Sequence, residues 1–204
     1  MKVSRRVEFK TESYAVGDVI NIKLKAGHKT TATCHKVYDD KVLFVFDKVV
    51  ALEPMNQKNT TDGGWEKCYM REWLHDVFYD NLPKKIKKRI VRENGDLLRL
   101  LDYTEVFGKD DIPSWIEPEN VTEQLPLMKD RRYRIGADMA ENYCSYWLRD
   151  VASATNFAYV GLGGHCSHAG ASYSYGVRPA FVIHNLKSPS FMDGLYEEGD
   201  YPWE

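Results

Sequence analysis

The chain has 204 residues, a formal net charge of -2, 13% aromatic and 28% charged residues, and four cysteines. That length buries a core without covalent staples, and the aromatic content excludes a disordered chain. The near-neutral balance excludes a general polyanion binder, which needs a broad basic excess. Cys34, Cys68, Cys144 and Cys166 lie far apart with no paired spacing, so neither a zinc ribbon nor a disulfide framework is signalled.

Met1 to Lys10 is charged and carries no apolar secretion core, and no apolar run reaches membrane-spanning length. Cytoplasmic synthesis without a signal peptide or membrane insertion is the expectation. Val19 to Leu24 alternates apolar and polar residues, and Thr30 to Val37 and Val42 to Phe46 flank Tyr38-Asp39-Asp40-Lys41, which predicts an antiparallel strand meander over 17–52. Asp62-Gly63-Gly64 ends that pattern. Trp65, Tyr69, Trp73 and Val77, with Leu74 and Phe78, then recur at helical spacing through Asp80. Leu82-Pro83 opens a second, basic helix over 84–92, so the spacing predicts helices across 65–92.

Leu97 to Leu101 reads as a buried strand. Asp102-Tyr103-Thr104-Glu105 has the spacing of an N-cap with a reciprocating acid, and Gly108 is the stop. Residues 109–135, with Pro113, Pro118 and Pro126, read as irregular connection, and Ala137 to Asn142 as a further helical turn.

From Val151 to Val177 there is no Lys, Arg, Asp, Glu, Gln, Met or Trp. Gly, Ser, Ala, Tyr, His and Asn dominate, the chemistry of adaptable recognition loops: Tyr supplies rigid amphipathic area, and Ser and Asn supply hydrogen bonds. The stretch is preceded by Tyr146-Trp147-Leu148-Arg149, contains Ala158-Tyr159-Val160 and closes in Gly176-Val177-Arg178-Pro179-Ala180. With Leu100-Leu101-Asp102-Tyr103-Thr104-Glu105-Val106-Phe107-Gly108 and the Trp65 to Leu74 helix upstream, this set resembles domain-of-unknown-function family 6273, found on phage, mobile-element and bacterial surface proteins. The resemblance covers most of residues 17–184. Asp150 stands where that family commonly has Ser, and Gly163-Gly164 where it has Asp-Gly.

The family in turn resembles the C-type-lectin-like fold shared by formylglycine-generating enzymes and the variable proteins of diversity-generating retroelements. In the latter, adenine-directed mutagenesis yields Tyr, Ser, His, Gly, Ala, Asn, Cys or Phe but never Lys, Glu, Gln, Met or Trp. The 151–177 stretch obeys that restriction. The resemblance implies an α+β chain with a single domain over 1–186, a variable-type module over 143–184, and an acidic aromatic tail over 187–204. It implies a structural frame of Trp147, Arg149, Gly176, Arg178 and Pro179, with Arg178 pinning loop carbonyls or a carboxylate such as Asp150.

On this reading the ligand-binding positions are Asn156, Ala158, Gly161, Gly163, His165, Ser167, His168, Gly170, Tyr173 and Tyr175. The partner is a protein or cell-surface ligand, and virion association follows from the resemblance. Tyr173 and Tyr175 would face one way if extended, as binding hot spots removable without loss of stability.

His165-Cys166-Ser167-His168 lacks a nearby fourth ligand, so no metal is expected. Glu117-Pro118-Glu119-Asn120 breaks the calcium-lectin signature it approaches. No nucleophile elbow or activated cysteine pair appears, so neither an enzyme nor a cofactor is expected. The alternatives are an intracellular adaptor binding nucleic acid or protein through helix 84–92, and a structural virion component whose tail serves assembly. Nucleic acid is the less favoured partner, because a solvated helix face explains those lysines.

Overall fold

The structure, a computed structural model, describes residues 14–118 and 120–185. Mixed strands and a few short helices build two five-stranded sheets. The N-terminal part forms β1 (Val19–Lys23), β2 (Lys29–Val37) and β3 (Lys41–Phe46), antiparallel in sequence order as the alternation predicts. In β3 the run from Val42 to Phe46 is buried on both faces, which is why it is continuously apolar and sits mid-sheet. β4 (Ala51–Pro54) leaves this group and opens the second sheet.

Helical structure follows in short pieces: a 3-10 turn at Trp65–Lys67, α1 (Tyr69–Trp73), a π turn at Leu74–Phe78, and α2 (Tyr79–Asn81). The changes of winding alter the phase of the stripe. Met70, Leu74 and Phe78 carry the buried face beside Trp65, Tyr69 and Trp73 are half-buried, and Val77 is 51% exposed. The expected second helix over 84–92 is corrected to a single turn, α3 (Lys84–Lys87), followed by β5 (Ile90–Val91). The reason is pairing: Val91 and Ile90 lie opposite Val182 and Ile183 of β10 (Ala180–His184).

Leu98 to Leu101 is buried but is not a strand. β5 pairs with Val182 and Ile183 on the outer side of β10, and further along the same strand Ala180 makes a single bridge to Arg99. α4 (Tyr103–Phe107) begins in a complete capping box, with Asp102 Oδ1 accepting from Glu105 N at 2.8 Å and Glu105 Oε2 accepting from Asp102 N at 3.0 Å. It stops at Gly108, whose φ of 90° is open to glycine. A 3-10 turn at Pro126–Lys129 and α5 (Arg131–Arg134) complete the helical content of the described residues. The helical turn expected over 137–142 is absent. Asp138 Oδ1 instead accepts from Ala140 N and Asn142 N, and Glu141 turns the chain at φ 68°.

β6 (Tyr146–Val151), β7 (Asn156–Val160), β8 (Cys166–Gly170) and β9 (Ser174–Val177) follow. The first sheet runs β1-β2-β3-β10-β5 and the second β4-β9-β6-β7-β8, with β6 and β9 parallel and the other pairs antiparallel. The chain therefore crosses from the second sheet back to the first at Arg178-Pro179.

Each sheet contributes to two apolar clusters. One joins Phe44, Phe46 and Phe181 to Trp65, Leu74, Trp147 and Phe157; the other joins Leu43, Val45, Ala180 and Val182 to Leu101, Val106, Tyr146 and Leu148. Strand alternation divides them, since successive side chains point to opposite faces. None of the helices among the described residues is long and apolar enough to cross a membrane.

Candidate functional site

Two buried ionic contacts surround the start of α4, and one of them reaches the second sheet. Arg99 grips Glu105 with both terminal nitrogens, at 2.8 and 2.7 Å, and Arg149 donates to Asp102 Oδ2 at 2.7 Å. Asp150 Oδ2 accepts from Tyr103 N at 2.6 Å. The capping box of α4 and strand β6 are thereby locked together, and the forked Arg99 contact fixes orientation as well as distance. Burial, reinforced by the neighbouring Asp102 charge, pushes the Asp150 carboxyl up to about 7.

Arg178 holds the crossover. Its Nε donates to Phe46 O at 2.8 Å and Nη1 to Tyr133 O at 2.7 Å, while its guanidinium lies 5.2 Å from the Tyr146 ring centroid. It pins carbonyls, as one of the two expected roles required; the other candidate, Asp150, is engaged by Tyr103 instead. Pro179 O accepts from Phe46 N at 2.9 Å. Gly176 leaves no room for a side chain, because a Cβ there would meet Ser145 O at 2.6 Å.

The charge-free stretch folds as β7, β8 and β9 with their connecting turns, so its side chains are dealt to opposite faces. On one face Tyr159 and Tyr175 stack with centroids 4.6 Å apart, and both meet the buried Trp147 edge to face, at 6.1 and 4.9 Å. Trp147 Nε1 donates to Glu53 O at 2.9 Å, anchoring this aromatic group to β4. Ser167 lies opposite Tyr159 in the strand register and shares its face. Tyr173, just before β9, is 63% exposed.

The other face carries Asn156 and His168. Asn156 Nδ2 and His168 Nδ1 are 2.9 Å apart, and the Trp115 ring meets His168 edge to face at 4.9 Å. Beside them a shallow groove of about 410 Å3 runs between Trp115 and Glu117 on one side and Val151 to Ser153 on the other. Trp115 carried no signal in the sequence, since it lies in the proline-interrupted connection.

The β7–β8 turn holds the remaining positions. Gly161 N donates to His165 O and Gly164 N to Gly161 O, both at 2.8 Å, and Gly163 O accepts from Arg131 Nε at 2.6 Å. His165 is exposed at this tip, while Gly161 and Gly163 shape it. Ala158 and Gly170 are buried, which corrects their placement among contact positions. Ala158 points into the second apolar cluster, and a Cβ on Gly170 would meet Asn59 Oδ1 at 2.6 Å.

Tyr173 and Tyr175 also differ: the first is open to solvent and the second is half-buried against Tyr159 and Trp147. Among the described residues no group of three or more His, Cys, Asp or Glu could hold a metal ion. Burial, with Asp150 adding to it, pushes the Cys166 thiol up to about 12, and burial raises that of Cys144. A nucleophilic cysteine needs the opposite shift.

The basic turn is less available than its composition suggested. Lys87 Nζ pairs with Asp80 at 2.6 Å and lies over the Tyr79 ring, and α3 spans four residues. The acidic tail and the first residues fall outside the described chain.

A charge-free sheet face of half-buried aromatics, with buried arginine contacts at its borders, defines the class of molecule at hand: a two-sheet scaffold with exposed polar-aromatic faces. The chain belongs to the family described as domain of unknown function (DUF6273), whose model matches residues 39–97 and 96–185. No curated protein and no solved structure matches it.

Proposed function

We propose that this protein is a non-enzymatic recognition protein whose second sheet displays a variable binding surface, of the kind diversified by retroelements on a C-type-lectin-like scaffold. The observation that carries the reading is the stacked Tyr159 and Tyr175 pair on buried Trp147, with Tyr173 standing 63% exposed beside it. Tyrosines on a rigid base supply contact area at little entropic cost, and no charge in the stretch requires desolvation. Anchoring comes from Arg149 and Arg178, which lie outside the stretch: Arg149 ties β6 to Asp102, and Arg178 fixes the end of β9 to Phe46 and Tyr133.

The surface has two parts. Tyr159, Ser167, Tyr173 and Tyr175 form one, and Asn156 and His168 with Trp115 form the other, with His165 at the tip between strands β7 and β8. The ligand class is a protein or cell-surface molecule met by aromatic faces and neutral hydrogen bonds.

The coding locus tests the reading. A reverse transcriptase gene beside a near-copy of the 151–177 coding stretch, differing at adenine positions alone, is expected. The reading fails if no such copy exists and sister genes vary no more at Ser167, His168 and Tyr173 than at Trp147 and Arg178.

A further inference from the structure

A second surface, on the first sheet, is built for a charged segment. Strand β1 is the outer strand of its sheet. Asp18 O accepts from Cys34 N and Leu24 N donates to His28 O, so even-numbered residues turn their backbone groups toward β2. By the alternation of an antiparallel ladder, Val19, Asn21 and Lys23 turn theirs outward, and among the described residues no strand pairs with them. Between this edge and α3 lies a groove of about 500 Å3, lined by Tyr14, Asp18, Val19, Asn21, Lys85 and Arg89 among others.

The groove carries a net positive charge, Lys85 and Arg89 against Asp18. Arg89 lies over the Tyr14 ring and donates from Nη1 to Tyr14 Oη at 3.0 Å, but its Nε and Nη2 have no hydrogen-bond partner among the described residues. A buried guanidinium nitrogen left unpaired is costly, so the site favours a carboxylate. Asp18, the acid on the lining, is already engaged: its Oδ2 accepts from Ala15 N at 2.7 Å.

The chain supplies a matching segment. His184 N donates to Arg89 O at 3.3 Å, so the polypeptide beyond Asn185 starts beside this arginine. Gly194 to Glu204 holds Glu197, Glu198, Asp200 and Glu204, two tyrosines, a tryptophan and no basic residue. Ten residues span up to roughly 35 Å when extended, ample to reach the groove.

We propose that the groove between β1 and α3 is the docking site for the chain's own acidic aromatic segment, Gly194 to Glu204, whose carboxylates meet Arg89 and Lys85. Docked there, the segment also covers the open edge of β1, which otherwise invites pairing with other chains.

Zero-length carbodiimide cross-linking of the full chain at low micromolar concentration tests this. Amide links from Lys84 or Lys85 to Glu197, Glu198 or Asp200 within one molecule are expected. Links spread equally to Lys58 and Lys109, or found between two molecules alone, overturn the proposal. Because that chemistry reads side chains alone, a full-length variant with Glu197→Gln, Glu198→Gln and Asp200→Asn supplies an independent readout. Amide exchange at Val19 and Asn21 should accelerate roughly tenfold or more while Ile20 and Ile22 stay unchanged. Equal exchange at Val19 and Asn21 in both proteins overturns the proposal as well.

Discussion

Arg149 reaches from β6 to donate to Asp102 Oδ2 at 2.7 Å, and Asp102 is at the same time the N-cap of α4. One carboxylate thus serves two elements, its Oδ1 closing the helix and its Oδ2 holding the strand. Asp102→Ala strands a buried guanidinium and uncaps α4, and should cost about 3–5 kcal/mol. Asp102→Asn keeps the cap and should cost clearly less. Urea unfolding of the two variants distinguishes them; equal losses would place the stabilisation in the charge and not in the cap.

Arg178 should not tolerate lysine. A single ammonium cannot donate in one plane to Phe46 O and Tyr133 O, which the guanidinium reaches at 2.8 and 2.7 Å. Arg178→Lys is expected to lose about 2–3 kcal/mol, since hydrogen bonds to charged groups are worth more than neutral ones. Thermal unfolding should show a drop of several degrees.

The two tyrosines of the candidate surface should separate. Tyr173→Ala removes a ring that is 63% exposed and should leave the melting temperature nearly unchanged. Tyr175→Ala breaks the stack with Tyr159 and the edge contact with Trp147, for a loss of about 1–3 kcal/mol. Removing both rings therefore lowers stability, contrary to the expectation from sequence. Calorimetry on the two single variants provides the check, and equal melting temperatures would contradict the packing described.

Two buried groups give stability opposite slopes with pH. Unfolded Asp150 releases its proton near the ordinary aspartate value of 3.8, whereas the folded protein retains it up to about 7, so its contribution falls as pH rises through that window. His35 behaves inversely. Burial first, then the Arg178 charge, lowers its folded value from 6.5 to about 3, so stability is lost as pH falls through that range. Asp150→Asn should flatten the approach to neutral pH, and His35→Leu the acid limb, in urea titrations taken at pH steps from 3 to 8.

Gly176→Ala should be among the most damaging small changes, because the added methyl meets Ser145 O at 2.6 Å and a Val49 methyl at 2.8 Å. Backbone on one side and packed core on the other leave no escape. A loss of about 2–4 kcal/mol, or failure to fold, is expected, read by soluble yield and circular dichroism.

Much of the local structure was legible because it rests on short-range rules. The β1 to β3 alternation, the Asp102 to Glu105 cap and the Gly108 stop each follow from residues within a few positions of one another. The helical reading of 84–92 failed where a distant strand intervened: Ile90 and Val91 pair with β10, and that pairing outweighs the propensity of the basic run. Trp115 could not be foreseen at the site, since its partner His168 lies 53 residues away and only the chain's return brings them together. Likewise Ala158 and Gly170 share a charge-free composition with Tyr173 but not its exposure.

By itself the sequence determined where the charge-free stretch begins and ends and that apolar strand residues flank it, because both are matters of composition and short-range pattern. Tertiary structure decided which members of that stretch face water. Strand alternation and register are properties of pairing between distant segments, and a shift by one residue exchanges the two faces, so composition alone leaves that choice open.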